Sequence, residues 1–152
     1  MISKTTTVND AKQHLIDHGI RPSVQRLAIM KYLMEHRTHP TVDKIYNDLR
    51  PSMPTLSRTT VYNTLEVLVE HDAVLELSID SHTSHYDGAT APHAHFRCRR
   101  CGAIIDVDMK DLALATPESS EFTVEHVEIS YTGLCARCIN DNNQDNNQDN
   151  NL

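Results

Sequence analysis

Apolar residues recur at helical spacing through the first 71 residues, and polar segments with glycine or proline separate the groups. Gly19 ends the first group, Thr41 is suited to cap a third helix and Ser57 a fourth. The pattern predicts helices over 8–18, 23–36, after Thr41, and over 58–71. The expected core stripes are Val24, Leu27, Ala28, Met30, Leu33 and Met34; then Val42, Ile45, Tyr46 and Leu49; then Val61, Leu65 and Leu68.

Two β-prone runs follow the fourth helix. Residues 73–79 alternate apolar and polar positions, and His85–Tyr86 lies beyond the polar turn DSHTS. Three or four helices followed by a short hairpin are typical of a winged helix-turn-helix. The sequence therefore predicts a winged-helix domain over residues 1–88.

A second module is predicted after the hinge, residues 89–92, which lies in the segment GATAP. Its pattern favours strands over 94–98, 103–107 and 122–131, with a helix near 109–115, so the module spans 93–139. Residues 140–152 contain no apolar side chain before the final leucine, and we expect a disordered tail. The whole chain is thus expected to be α+β.

Composition and charge indicate where the protein is located and which partners it can bind. No run of 18 apolar residues and no secretory signal is visible, so we expect a cytoplasmic chain without a membrane segment, with its cysteines reduced. The net charge of −7 argues against a nucleic-acid partner. Most of the excess lies late in the chain, because residues 1–88 carry −2 and residues 89–152 carry −5. A local basic surface therefore stays compatible with DNA binding.

The four cysteines form two CxxC pairs, Cys98 with Cys101 and Cys135 with Cys138. Each pair can hold one metal from a tight turn, and four thiolates complete a tetrahedral shell of the kind that binds structural Zn2+. A redox pair would need a βαβ context, which the pattern does not predict, and disulfides are disfavoured in the cytosol. We predict one structural zinc site.

Histidines supply a second candidate metal site. His93 and His95 are two residues apart on a predicted strand, so their side chains point to one side and can share an ion. Spacing alone leaves open whether they are ligands or ordinary histidines. Asp87 lies just before the hinge and Asp106 on the next strand. His39 precedes Pro40, so we expect an extended backbone there. Histidines 14, 18, 36, 71, 82, 85 and 126 are interpreted as ordinary surface or core residues.

Polar residues at the start of the fourth helix form a candidate DNA-binding surface. Such residues can meet phosphates and base edges when the helix enters a groove. An ordinary solvated helix face explains the same pattern, and the sequence alone leaves both interpretations open. The residues are Arg58, Thr59, Thr60, Tyr62 and Asn63.

Over residues 10–139 the chain resembles the ferric uptake regulator (Fur) family of bacterial metalloregulators. The resemblance rests on RPSVQRLAIMKYL, HPTVDKIYNDL, SRTTVYNTLEVL, HAHFRCRRCGAIID and GLCARC. It implies an N-terminal winged helix that binds DNA and a C-terminal α/β module that forms a homodimer. Two departures are visible: Ala94 stands where many iron sensors carry a carboxylate, which puts a further metal site in doubt, and the Asn/Asp/Gln tail is not a family feature.

The resemblance also implies roles for individual residues. The four cysteines match the structural zinc ligands, and a second set matches the Fe2+ or Mn2+ site of the peroxide-sensing PerR branch. Iron sensors usually carry glutamate where this chain has Asp106, so the aspartate favours peroxide sensing. Oxidation of His39 or His93 is then expected to weaken the site and release DNA. The second set comprises His39, Asp87, His93, His95 and Asp106.

The resulting hypothesis is a repressor that binds a palindromic double-stranded DNA operator and controls oxidative-stress and metal-homeostasis genes. Within the family, the alternatives are an iron-responsive repressor of iron uptake genes and a zinc-responsive repressor. A metal-dependent hydrolase is a further alternative, but the chain has no HExxH motif and no nucleophile motif, so we expect no enzyme activity. A zinc-stapled protein-interaction module would explain the cysteines but not the histidines.

Overall fold

A computed structural model describes residues 6–108 and 117–141, and these form two compact units, Met1–Ala91 (unit 1) and Pro92–Leu152 (unit 2). Unit 1 contains four helices followed by two strands, and unit 2 contains a three-stranded sheet. The elements are α1 (Val8–Asp17), α2 (Val24–Glu35), α3 (Val42–Leu49), α4 (Arg58–Glu70), β1 (Leu75–Leu77), β2 (His85–Asp87), β3 (Ala94–Cys98), β4 (Ile104–Val107) and β5 (Ser130–Gly133). The α+β prediction is confirmed.

Each of the four helices begins at a serine or threonine N-cap, namely Thr7, Ser23, Thr41 and Ser57. The cap hydroxyl accepts a hydrogen bond from the backbone N–H three residues later, over 3.1–3.3 Å. This bond satisfies one of the amides that a helix start leaves without an intrahelical partner. The caps predicted at Thr41 and Ser57 are therefore confirmed.

The core of unit 1 forms around α2, which contacts the other three helices. Ile29, Met30, Tyr32 and Leu33 of α2 are all buried, so this helix is covered on more than one side. The expectation that Val24 belongs to the core is wrong, because its side chain is 72% exposed. Val24 is the first residue of α2, and a single periodic stripe does not fit a central helix.

β1 and β2 form the predicted antiparallel hairpin, in which Glu76 lies opposite Tyr86. β2 also holds the segment before α3, because the carbonyl of Pro40 accepts a hydrogen bond from the Tyr86 amide over 3.0 Å. His39 has φ +55°, so the extended backbone expected there is wrong. Histidine enters the left-handed region more readily than most residues, and tertiary contacts hold it there at a cost on the order of 1–3 kcal/mol.

The sheet of unit 2 has the strand order β4-β3-β5. β3 pairs antiparallel with β4 and parallel with β5, which confirms the predicted strand at 94–98 and places the next one within one residue of its prediction. The predicted strand over 122–131 is wrong for residues 122–129. Within this segment, the strand that pairs with β3 begins only at Ser130, and β-prone sequence forms a strand only where a neighbouring strand accepts its hydrogen bonds.

Two other predictions concern the end of unit 2. The helix expected near 109–115 lies outside the described residues. Residues 136–141 are helical and include the first two residues of the predicted tail, whose remainder, 142–152, also lies outside the described part. Within residues 6–108 and 117–141, no helix has the length and apolar character needed to cross a membrane.

Candidate metal centres and DNA-binding helix

The sheet of unit 2 brings the two CxxC pairs to one place. β3 ends at Cys98, and β5 runs parallel beside it with Gly133 opposite Cys98. Cys135 follows two residues later, so both knuckles leave the same end of the sheet. The amide of Cys135 donates to Sγ of Cys98 over 3.4 Å, which fixes one knuckle against the other. Parallel pairing therefore makes a single four-cysteine cluster from segments 33 residues apart.

The geometry of this cluster fits a tetrahedral metal. All four cysteines are free of disulfides, and each offers an Sγ atom within 4.8 Å of the other three. Sγ of Cys101 lies 3.8 Å from Sγ of Cys135. Thiolates at about 2.3 Å from a zinc ion lie about 3.8 Å apart in a tetrahedron. Gly102 has φ +75°, a conformation that glycine adopts without steric cost and that lets the first knuckle turn.

Local electrostatics differ among the thiols of the cluster. Backbone amides of Cys101 and Cys135 point at the sulfur of Cys98 and lower its pKa to about 5. Burial, together with the neighbouring thiols, raises the pKa of Cys138 to about 12. A backbone hydrogen bond from Ala103 also lowers the pKa of Cys101, so the backbone favours the thiolate at two corners, whereas a metal cation is needed to keep all four sulfurs deprotonated.

A second group of ligating side chains lies at the other end of β3. The β3–β4 register places His95 directly opposite Asp106. Oδ1 of Asp106 is 3.5 Å from Nε2 of His93 and 3.4 Å from Nε2 of His95. The two imidazole rings meet edge to face at 4.4 Å. His95 is almost fully buried, His93 is largely buried, and Asp106 is half-exposed. Unit 2 therefore brings three of the predicted regulatory ligands together.

Unit 1 brings the other two together. His39 comes from the segment before α3 and Asp87 from the end of β2, with Nε2 of His39 3.5 Å from Oδ2 of Asp87. Both side chains are at most 3% exposed. The amide of Ala89 donates to Oδ1 of Asp87 over 2.8 Å, which orients the carboxylate so that Oδ2 faces the imidazole.

The spacing within both groups suits metal ligation. N–H···O hydrogen bonds usually span 2.7–3.2 Å, so the 3.4–3.5 Å separations are longer than a well-formed bond. Donor atoms at about 2.0–2.2 Å from a common cation lie about 3.0–3.5 Å apart. Imidazole with carboxylate is a donor set that suits Fe2+, Mn2+ or Zn2+.

The predicted DNA-binding residues lie on the first two turns of α4. Arg58, Thr59, Tyr62 and Asn63 are exposed, whereas the opposite face buries Val61, Thr64, Leu65 and Leu68 against the core. Thr60 is half-buried, and its hydroxyl lies 2.9 Å from Ser57 Oγ at the helix cap. The helix thus presents a polar surface at its N-terminal end, where positive potential of the helix dipole attracts phosphate.

His85 was interpreted as an ordinary histidine, but it contacts the candidate site. Its Nδ1 donates to the His39 carbonyl over 2.7 Å, and its Nε2 lies 3.2 Å from Oδ2 of Asp80. One feature of the sequence could have indicated this contact. His85 lies two residues before Asp87 on a strand, so both side chains are on one face of the hairpin.

The chain is similar to several known proteins. Residues 17–132 match the model of the Ferric uptake regulator family. The peroxide-responsive repressor PerR of Staphylococcus saprophyticus is 34% identical over 134 residues, covering 86% of this chain and 90% of the relative. PerR of Staphylococcus aureus strain Mu50 is 36% identical over 123 residues, covering 79% and 83%. A crystal structure of the Campylobacter jejuni peroxide stress regulator is 27% identical with a TM-score of 0.62, covering 88% of this chain and 99% of that one.

Proposed function

The chain belongs to the ferric uptake regulator family, and from this premise we propose that it is a metal-dependent transcriptional repressor that senses hydrogen peroxide. The observation that carries the proposal is the position of Asp106, within 3.5 Å of the imidazole nitrogens of both His93 and His95. With an aspartate at this position, the chain resembles the peroxide-sensing branch of the family. Relatives that are 34–36% identical to this chain are peroxide-responsive repressors.

The two ligand sets have different roles in this proposal. Cys98, Cys101, Cys135 and Cys138 hold Zn2+ in a closed shell that stabilises unit 2, whose described part buries few large apolar side chains. The histidine and aspartate set holds Fe2+ or Mn2+ as the regulatory ion. Its members are His39 and Asp87 of unit 1, with His93, His95 and Asp106 of unit 2.

Regulation follows from ligands contributed by both units. Residues of unit 1 and unit 2 that share an ion favour the conformation in which α4 binds DNA, and metal binding shifts the population toward it. Iron, when bound, supplies the redox chemistry by which peroxide oxidises an adjacent ligand. Oxidation of His39 or His93 removes an imidazole donor, so the remaining side chains hold metal less tightly and the repressor leaves its operator.

A homodimer on a palindromic operator is part of the proposal. Ile105, Phe96 and Tyr131 lie directly opposite one another on three adjacent strands, so their side chains share one face of the sheet. Ile105 is 47% exposed and Tyr131 is 42% exposed. An apolar row of this kind is suited to pair with its copy across a two-fold axis, as in most soluble oligomers. We place this regulator, rather than an enzyme, in the cytoplasm.

Fluorescence anisotropy with a labelled operator tests the proposal. Zinc-loaded protein should bind tightly only after Fe2+ or Mn2+ is added, and peroxide should release the Fe2+ form while the Mn2+ form stays bound. Mass spectrometry should then find one added oxygen atom on His39 or His93 of the released protein. His93→Ala should abolish metal-dependent operator binding, because one of the imidazole donors is missing.

Asp106→Glu separates this function from an iron-responsive repressor. The longer carboxylate should keep metal-dependent operator binding and reduce the rate of peroxide-induced release. A wild-type chain whose Fe2+ form stays on DNA in peroxide would instead favour the iron-responsive alternative. Operator binding by protein that contains zinc alone, at the affinity of the fully loaded form, would contradict metal regulation altogether.

A further inference from the structure

We propose that His85 and Asp80 form a positioning pair that fixes the backbone of His39 and thereby strengthens its binding of the regulatory ion. The inference rests on the proposed function, in which His39 is a ligand. It adds two residues of unit 1 that belong to neither ligand set, and both lie at or within the hairpin of β1 and β2.

The pair forms a continuous chain of contacts from the hairpin turn, residues 78–84, to His39. The backbone amide of His82 donates to Oδ1 of Asp80 over 3.0 Å. The other carboxylate oxygen, Oδ2, lies 3.2 Å from Nε2 of His85. Nδ1 of His85 then donates to the carbonyl of His39 over 2.7 Å, 46 residues away along the sequence. Both side chains of the pair are 18% exposed, so the contacts are partly shielded from water.

The contact acts at an unusual point of the backbone. His39 has φ +55°, whereas a residue before proline normally adopts extended backbone. The imidazole of His39 is buried beside Asp87, so a change in this backbone conformation would move a ligand away from its partner. His85 holds the carbonyl of His39, and the Tyr86 amide holds the next carbonyl, that of Pro40.

Consecutive residues of β2 therefore hold consecutive carbonyls of the ligand segment, and β2 ends in the ligand Asp87. The arrangement fixes two ligands relative to each other through one strand. Partners that orient metal ligands typically contribute about 10- to 100-fold to metal affinity. His85 contacts the backbone of the ligand residue His39 and not the ion itself. It is therefore a partner that orients a ligand, and we expect its effect on metal affinity to lie in this range.

The test compares two substitutions at one position in zinc-loaded protein. His85→Leu removes the donor, whereas His85→Asn keeps an N–H near the position of Nδ1. Mn2+ titration should show affinity reduced by about 10- to 100-fold in the leucine variant and largely restored in the asparagine variant. Asp80→Asn should lose about tenfold, since it retains the oxygen that accepts from His82 but not the charge beside His85. His82→Gln is the matched control in the same turn and should bind Mn2+ like wild type.

Two further measurements separate positioning from general stability. The visible spectrum of Co2+ in the regulatory site should change in His85→Leu and return toward wild type in His85→Asn. Urea unfolding reports on the fold of each variant, and where the leucine variant does not fold, the comparison of His85→Asn with Asp80→Asn decides. Equal Mn2+ affinities and Co2+ spectra in wild type and the folded His85 and Asp80 variants would overturn the positioning pair.

His39→Ala, measured in parallel, distinguishes this inference from the proposed function. Loss of Mn2+ binding in His39→Ala with wild-type binding in His85→Leu would reject only the positioning pair. Undiminished Mn2+ binding in His39→Ala would reject His39 as a ligand, and with it the proposed site.

Discussion

Nε of Arg58 donates a hydrogen bond to Oδ1 of Asp43 over 2.8 Å, which connects the first residue of α4 to α3. The same guanidinium lies 4.4 Å from the centre of the Tyr46 ring. Arg58, which is predicted to contact DNA, is thus already oriented before DNA binds. A DNA phosphate that binds Arg58 would displace the carboxylate of Asp43. This contact bears on how a chain with net charge −7 can bind DNA.

Asp43→Asn should therefore tighten operator binding by roughly 3- to 10-fold at low salt, because Arg58 is released and a negative charge near the phosphates is removed. Both side chains are exposed, so the free energy of unfolding should change by less than about 0.5 kcal/mol. Anisotropy titrations over a range of salt concentrations measure the effect. Asp17→Asn on α1 removes the same charge and serves as the control; weaker binding by Asp43→Asn would mean that Asp43 positions Arg58 for DNA.

Cys101→Ser should abolish tight zinc binding. Cys101 is an exposed corner of the cluster, so the substitution causes little packing change, but three thiolates leave the shell incomplete. Zinc content should fall from about one ion per chain to a small fraction of that, and unit 2 should lose several kcal/mol of stability. Colorimetric zinc assay and thermal unfolding measure both, with Thr132→Ser as the control. Full zinc content in Cys101→Ser would contradict the four-thiolate site.

Tyr32→Phe should make the unfolding free energy less dependent on acid pH. The Tyr32 hydroxyl donates to Oδ2 of Asp48 over 2.6 Å, and this bond, followed by Lys44, lowers the pKa of Asp48. A lowered pKa stabilises the fold above the unfolded value of about 3.9 and loses that effect as pH falls through the folded value. Urea unfolding should show wild type more stable than Tyr32→Phe at pH 7, with the difference narrowing below about pH 4. A constant difference across this range would reject the hydrogen bond as its cause.

Gly88→Ala should destabilise unit 1 by about 1–3 kcal/mol. A Cβ at Gly88 would lie 2.9 Å from the carbonyl oxygen and 3.0 Å from the carbonyl carbon of Leu33, both backbone atoms of α2. Since backbone cannot rotate away, Asp87 should shift as well, and Mn2+ affinity should fall together with stability. Gly19→Ala meets no atom within 4 Å and tests the cost of left-handed backbone alone. Wild-type stability of Gly88→Ala would show that the loop yields without strain.

Features carried by local chemistry could be predicted from the sequence. Ser57 and Thr41 begin their helices as expected, because capping needs only the hydroxyl and an amide three residues away. The CxxC spacing lets each pair of cysteines face one metal from a tight turn, whereas the parallel pairing of β3 with β5 brings the two pairs together. Without the family resemblance, however, spacing alone does not join His39 to the histidines that follow the hinge.

Features set by distant partners could not be predicted. The pre-proline rule gives the wrong backbone at His39, since its conformation depends on hydrogen bonds from β2, more than 40 residues later. The pattern over 122–131 is β-prone throughout, yet a strand forms only where β3 offers a partner. The sequence places His85 two residues before Asp87, but only the fold brings it to the carbonyl of His39.

β3 carries His95 near its first residue and Cys98 at its last, so one five-residue strand serves both candidate metal centres. In an extended strand these two positions lie only about 10 Å apart. A newly made polypeptide that has not acquired zinc lacks the metal that holds β5 beside β3. Its histidine and aspartate ligands are then not positioned to bind iron. The zinc supply of the cell would therefore limit how many copies mature into working sensors, even when iron is plentiful.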